Sequence, residues 1–442
     1  MTKKRENIKV VEEVQKDTSV SLAENLEDEK ILEEEFNNIK KKQTSADISD
    51  KERVSIEELG MSEELVDEKL KQALDTQTPK KKKKSTIINI ILLVVNLVFM
   101  AFIVSSLVKN VEGGDISSVI ETQGDKLWWL AGGLVVYAFY VLVQVLIYYV
   151  LIHNLTGKKR FGLSYDVAIL GKYYDNVTPF AVGGQPMQIV RLAQNGISPA
   201  VSTGIPIIKM VVNMSINTLL AVLFFAFGLP NIVEQSAFNN LLLVLLEFLG
   251  IIGLIITVII TVFMFLVSSG TLITRSLISF ILRIGFKLKI VKDYRTSYKK
   301  VLNQVAEYKM SFSYLWKNKK MLLKLIFLCI LECLSYAVMP YFVTMAFVGE
   351  VSMAPLMFLF ICVVKYYLCA MASCFLPLPG GTGLMEISFI FLFGLVVGNN
   401  VVWALLAWRI LSYYMIIAHG FVHEIGHIAR NFAKSRRKKR EI

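Results

Sequence analysis

The sequence carries no nucleotide-binding loop. No Gly-x-x-x-x-Gly-Lys-[Ser/Thr] occurs in its 442 residues, which argues against ATP-driven pumping by this chain. Histidine is scarce, with four residues. Cysteine is scarce too: the five are Cys329, Cys333, Cys362, Cys369 and Cys374, all inside apolar stretches. That placement argues against a disulfide framework and reads as ordinary packing. Cys329 and Cys333 lie one helical turn apart, but two thiols without further ligands make a weak metal site. Acid is scarce after Ser85, since more than half of the 36 Asp and Glu residues precede it. The polar, charged opening residues lead us to expect no signal peptide. We expect no cofactor and no nucleic acid, because membrane topology and anionic lipid account for the basic surplus.

What the chain has is apolar surface. It is 54% hydrophobic with a mean hydropathy of +0.53, more than a soluble domain needs. The expectation is an all-α polytopic membrane protein with about eight transmembrane helices. Re-entrant segments and an internal repeat are expected with them. Residues 1–85 read as a disordered, charged cytoplasmic extension with one short helix near Ser62–Leu74. Five lysines, Lys80 to Lys84, then hold the first span, Ile87–Leu107, to the cytoplasmic side. Residues 86–429 form the membrane domain. Its further spans are Leu127–Ile152, Ser202–Leu229, Leu241–Val267, Leu322–Phe347, Ala354–Leu376, Leu384–Val397 and Val401–Phe421. Tyr165–Leu192 is too interrupted to cross and reads as a re-entrant hairpin. Residues 270–320 are basic and read as amphipathic helices on the membrane surface. Residues 430–442 form a basic tail, so both termini are expected in the cytoplasm.

Two glycine-rich interruptions carry the functional signal. One runs from Pro179 through Gly183, Gly184, Gln185 and Gln188 to Arg191; the other runs from Pro377 through Pro379, Gly380, Gly381 and Gly383 to Glu386. Broken backbone inside a bilayer is tolerated only where protein buries it or a cavity solvates it. Paired breaks in two halves of a chain point to a transporter-like binding site. If each glycine pair opens a half-helix, its N–H groups face the cavity and suit a phosphate. Gln185 and Gln188 then offer hydrogen bonds, and Arg191 either a charge-assisted fork or an arginine snorkelling to the interface. Lys209, Glu247, Glu332, Lys365, Glu386 and Arg409 are ionisable residues inside spans, so they should face the bundle interior. Glu332 and Lys365 are expected to pair. Glu386 is the leading carboxylate for a proton or a headgroup amine; Lys172 and Asp175 are weaker candidates. A competing pattern is His423-Glu424-x-x-His427, preceded by His419, which matches the zinc-protease H-E-x-x-H. A third ligand on a separate element would be needed, and His153 is the only other histidine. A histidine stripe near headgroups is the preferred reading.

In these two motifs, taken in order, the chain resembles the membrane region of lysylphosphatidylglycerol synthase/flippase, the flippase-like domain family. The matching residues are Thr178-Pro179, Gly183-Gly184-Gln185-Pro186 and Gln188, then Pro377-x-Pro379-Gly380-Gly381-x-Gly383-x-x-Glu386. The resemblance covers about Ile87 to Ala429. It departs in the first motif, where Gly-Gly-Gln-Pro stands in place of an Arg-x-Gly-Glu type. The resemblance implies a helical membrane fold with a lipid-headgroup cavity and a phospholipid flippase or translocase. Its partners would be membrane phospholipids, anionic or aminoacylated, with a homo-oligomer left open. Family naming also implies phosphatidylglycerol lysyltransferase. The full-length synthases use a cytoplasmic acyltransferase-like domain for that step, so no lysyl transfer is expected here.

Overall fold

The computed structural model describes residues 120–121, 123–178, 181–235, 241–269, 317–349, 351, 353–374 and 378–438. The N-terminal extension, the span Ile87–Leu107, Pro179, Pro377 and almost all of the basic stretch 270–320 lie outside the described residues. Helix dominates and no strand occurs among the described residues. The helices are α1 (Trp129–Thr156), α2 (Phe161–Val177), α3 (Gly184–Gln194), α4 (Pro199–Gln235), α5 (Leu241–Ser269), α6 (Lys319–Phe347), α7 (Pro355–Ser373), α8 (Leu384–Val397), α9 (Val401–Arg409) and α10 (Met415–Lys438). A single π-helical turn, Ile410–Tyr414, joins α9 to α10.

Six stretches among the described residues are long and apolar enough to cross a bilayer. About eight were expected, and the difference has two sources. Ile87–Leu107 lies outside the described residues. Residues 384–397 and 401–421 are not two full spans: α8 has 14 residues, and at 1.5 Å per residue it is about 21 Å long against a hydrocarbon core of about 30 Å. It belongs with α9 and α10 to one long apolar stretch, Pro379–His427. The helix α10 also continues to Lys438, through most of the residues expected as a tail.

The chain forms two helical hairpins whose bases lie at opposite ends of α6. In the first, α2 and α3 pack against each other, and Arg160 Nη1 donates to the Asn195 carbonyl at 2.6 Å, tying entry to exit. The residues therefore form the expected hairpin. This base sits by the start of α6, where Met321 and Leu325 share a buried cluster with Leu151, Leu155 and Ile197. In the second hairpin, α7 packs on α8. The turn after α8 lies at the other end of α6, where Asn400 Nδ2 donates to the Phe347 carbonyl at 3.4 Å.

Local chemistry explains the joints. Gly157 closes α1 with a left-handed φ of 75°, its N–H donating to the His153 carbonyl. Asn318 caps α6 by accepting from the Met321 N–H at 3.1 Å. Close helix approach relies on small residues, as is common where lipid rather than water surrounds a bundle. A Cβ at Gly253 of α5 would lie 2.1 Å from the Met371 carbonyl oxygen of α7. Aromatic packing fills the interior of the second half, with Phe389 stacked on Trp408 at 4.6 Å between ring centroids. The outward faces of α4 and α5 present Leu219, Leu223, Phe248, Ile255 and Ile259, as expected for lipid contact.

Candidate functional site

The tips of the two hairpins meet. Tyr413 Oη donates to the Asn176 carbonyl at 3.0 Å, reaching the end of α2 from the π turn. The same tyrosine ring lies against the second break, where Gly380 adopts a φ of +65° and a Cβ would stand 2.4 Å from Tyr413 Cε2. Only glycine combines that backbone with that contact. Between the tips opens a cavity of about 470 Å³, lined by Asp175, Asn176 and Ala181 from one side and by Leu378, Gly380 and Gly381 from the other.

Its polar wall comes from five helices, with Tyr366 and Ser373 of α7 completing it. Lys172 and Asp175 stand one turn apart near the end of α2. Asn213 and Asn217 come from α4, Glu332 and Tyr336 from α6, and Tyr140 from α1. Glu332 is the hub. Its Oε1 lies 2.9 Å from Lys209 Nζ and 3.7 Å from Lys172 Nζ. Gln144 Nε2 donates to the same oxygen at 3.0 Å, and Asn213 Nδ2 donates to Oε2 at 2.9 Å. A carboxylate so little exposed needs such saturation, because a buried charge without partners is costly. Lys172 differs from the other members: its side chain keeps 27% of its exposure, against 4% for Glu332.

Several residues expected at the ligand are taken up within the chain. Thr178 Oγ1 accepts from the Gly183 N–H, and Asp175 Oδ1 accepts from the Gly184 N–H, both at 2.9 Å. The Gly381 N–H donates to the Leu378 carbonyl at 3.1 Å. The broken backbone therefore satisfies these amides internally instead of offering them to a phosphate. Gln185 Nε2 lies 2.6 Å from the Met210 sulfur, and Gln188 Nε2 donates to Tyr148 Oη at 2.6 Å within the α1–α2–α3 packing.

Arg191 is buried and forks onto Asp166, at 2.8 and 3.0 Å, while its other nitrogen meets Glu424 Oε1 at 2.6 Å. It is neither a snorkelling arginine nor an open phosphate fork; it clamps α10 to α2 and α3. Glu386 is likewise internal. Its Oε1 lies 2.5 Å from Arg409 Nη2, and its Oε2 accepts from the Gly383 N–H at 2.6 Å. Arg409 Nη1 donates to the Gly380 carbonyl at 3.1 Å, so this pair holds the second break in shape. The expected Glu332–Lys365 pair does not form: Glu332 takes Lys209, and Lys365 Nζ donates to the Leu392 carbonyl at 2.8 Å. These charges sit on neighbouring elements, but helix rotation aims them at other partners.

The histidine stripe lies at the base of the first hairpin. His419 is held between Tyr137 Oη at 3.1 Å and Tyr165 Oη at 2.6 Å. His423 Nε2 approaches Asp166 at 3.5 Å. The carboxylate that a zinc protease would use on water, Glu424, is bound to Arg191. No cluster of three metal-ligating side chains occurs among the described residues.

Asn213, Asn217, Tyr140, Tyr336 and Tyr366 were missed by the sequence reading. One signal was present: Lys209, Asn213 and Asn217 repeat at four-residue spacing in an otherwise apolar helix, which places them on one face. A comparison with curated proteins finds no match, and one with solved structures finds none either. The model of the lysylphosphatidylglycerol synthase TM region matches residues 89–420, three quarters of the chain, and the chain belongs to that family.

Proposed function

We propose that this chain is a phospholipid translocase of the bacterial cytoplasmic membrane. One observation carries the reading: two broken helical hairpins, based at opposite ends of the bundle, enclose a charged cavity between their tips. A polar headgroup crossing the bilayer needs a hydrophilic station within the apolar layer, while its acyl chains stay in lipid. Lys172 supplies the ammonium with exposure to meet a phosphate. The Lys209–Glu332 pair beneath it holds α4 to α6. Rocking of one hairpin past the other would open the cavity to each leaflet in turn, with the Tyr413–Asn176 contact as the seam that parts. The basic residues Lys158, Lys159 and Arg160 at the base of the first hairpin favour a cytoplasmic location for that end.

The test is reconstitution of the full chain into vesicles with a trace of acyl-labelled phospholipid, followed by quenching of the outer leaflet. Lipid should exchange faster than in protein-free vesicles, and Lys172→Gln should slow it about tenfold, the loss of one charge-assisted hydrogen bond. Equal rates with and without protein would overturn the proposal.

A further inference from the structure

Lys172 and Asp175 line the same cavity from one face of α2 and form no ion pair with each other within 4.0 Å. Residues at i and i+3 on a helix have Cβ atoms about 5–6 Å apart. Lys172 leans to Glu332, at 3.7 Å. Asp175 commits Oδ1 to the Gly184 N–H, which leaves its second oxygen for another donor. The wall therefore presents an ammonium and a carboxylate side by side, each facing the cavity.

The charge balance narrows the ligand. In their ordinary charge states Lys172 and Lys209 offset Glu332 and Asp175, and the four sum to zero. A net-anionic or net-cationic headgroup entering this site would bring an uncompensated charge into a low-dielectric layer. A headgroup carrying one phosphate and one ammonium brings none, provided the two are spaced to meet the lysine and the aspartate. The remaining wall is neutral and can serve either end: Asn217, Tyr140 and Tyr366 line the cavity and make no side-chain hydrogen bond to a described residue.

We propose that the cavity selects zwitterionic headgroups of the phosphoethanolamine type, with the phosphate at Lys172 and the primary ammonium at Asp175. This rests on the translocase reading and deepens it. A phosphoethanolamine carries its phosphate and ammonium a two-carbon bridge apart, and Lys172 and Asp175 line one cavity from one face of α2. A lysyl ester of phosphatidylglycerol carries a second ammonium with no carboxylate left for it. Phosphatidylglycerol itself leaves Asp175 facing hydroxyl groups.

The test uses the full chain in vesicles of equal parts phosphatidylethanolamine and phosphatidylglycerol. Trace acyl-labelled phosphatidylethanolamine, phosphatidylglycerol, lysylphosphatidylglycerol and glucosyl-diacylglycerol are compared in turn. Phosphatidylethanolamine should cross fastest. Asp175→Asn keeps the acceptor that caps Gly184 but removes the charge, so the protein should fold. It should lower the ethanolamine-to-glycerol rate ratio about tenfold, with phosphatidylglycerol gaining. A ratio unchanged in Asp175→Asn, or faster movement of any of the other three lipids by the unaltered chain, would overturn the proposal. If no lipid crosses faster than in empty vesicles, the translocase reading fails. The headgroup claim is then decided by lipid retained on the purified protein: enrichment of phosphatidylethanolamine that Asp175→Asn abolishes upholds it, and equal retention of both lipids sinks it.

Discussion

Replacing Glu386 with glutamine separates a structural carboxylate from a transporting one. Both partners of the Glu386–Arg409 pair are almost fully enclosed, with 2% and 4% side-chain exposure and 2.5 Å between them. The amide oxygen of the new side chain would still accept from the Gly383 N–H, which Glu386 now holds at 2.6 Å. What disappears is the counter-charge of a buried guanidinium. Removing one member of such a pair costs about 3–5 kcal/mol, because the other charge stays behind without compensation. The Trp408 and Tyr413 rings, 5.4 and 5.5 Å from the guanidinium carbon, remain and soften the loss only in part. At about 1 °C per kcal/mol for a chain of this size, thermal unfolding of the detergent-solubilised protein should fall by roughly 3–5 °C. The double change Glu386→Gln with Arg409→Leu removes both charges and should recover most of that fall. Recovery stays incomplete, because the Gly380 carbonyl loses its donor, at about 1 kcal/mol. Lipid movement by the double variant should then approach that of the unaltered chain. The reasoning is refuted if Glu386→Gln unfolds at the normal temperature yet stops transport, since Glu386 would then act on a proton or on the lipid itself.

Two further outcomes follow from the joints of the fold. Gly380→Ala forces a side chain into a φ of +65° and against Tyr413, 2.4 Å away; it should destabilise by about 2–4 kcal/mol and expose the tip of α2 to hydrogen exchange, whereas exchange confined to Gly380 itself would contradict the contact between tips. Glu424→Gln should free the α10 end of the clamp at a cost of about 1–2 kcal/mol, as one charge-assisted bond weakens, seen as faster proteolysis after Phe421. Neither the unaltered chain nor this variant should retain stoichiometric zinc after dialysis; one zinc per chain, lost in Glu424→Gln together with peptide cleavage, would restore the protease reading.

Much of this architecture is legible without coordinates, because hydropathy and backbone need are local properties. Long apolar runs demand helices in lipid, and Gly380 announces a turn that other residues resist. The hairpin over residues 165–192 is legible from its interruption, and Arg160–Asn195 ties its two ends together. The short reach of α8 is legible in principle from its 14 residues. The expectation of a full span fails there because an apolar composition says nothing of whether a helix crosses or turns back.

The sequence by itself determined that the chain is helical, membrane-embedded and broken at two glycine-rich places, since each property depends on neighbouring residues along the chain. Only the tertiary structure decided who faces whom. Glu332 takes Lys209 and not Lys365, Arg191 takes Asp166 and Glu424, and Glu386 takes Arg409. Charge pairing is set by helix rotation and by the order in which elements pack. Those are properties of the whole bundle, so Lys172, Asp175 and Glu332 share one cavity only once the hairpin tips are brought together.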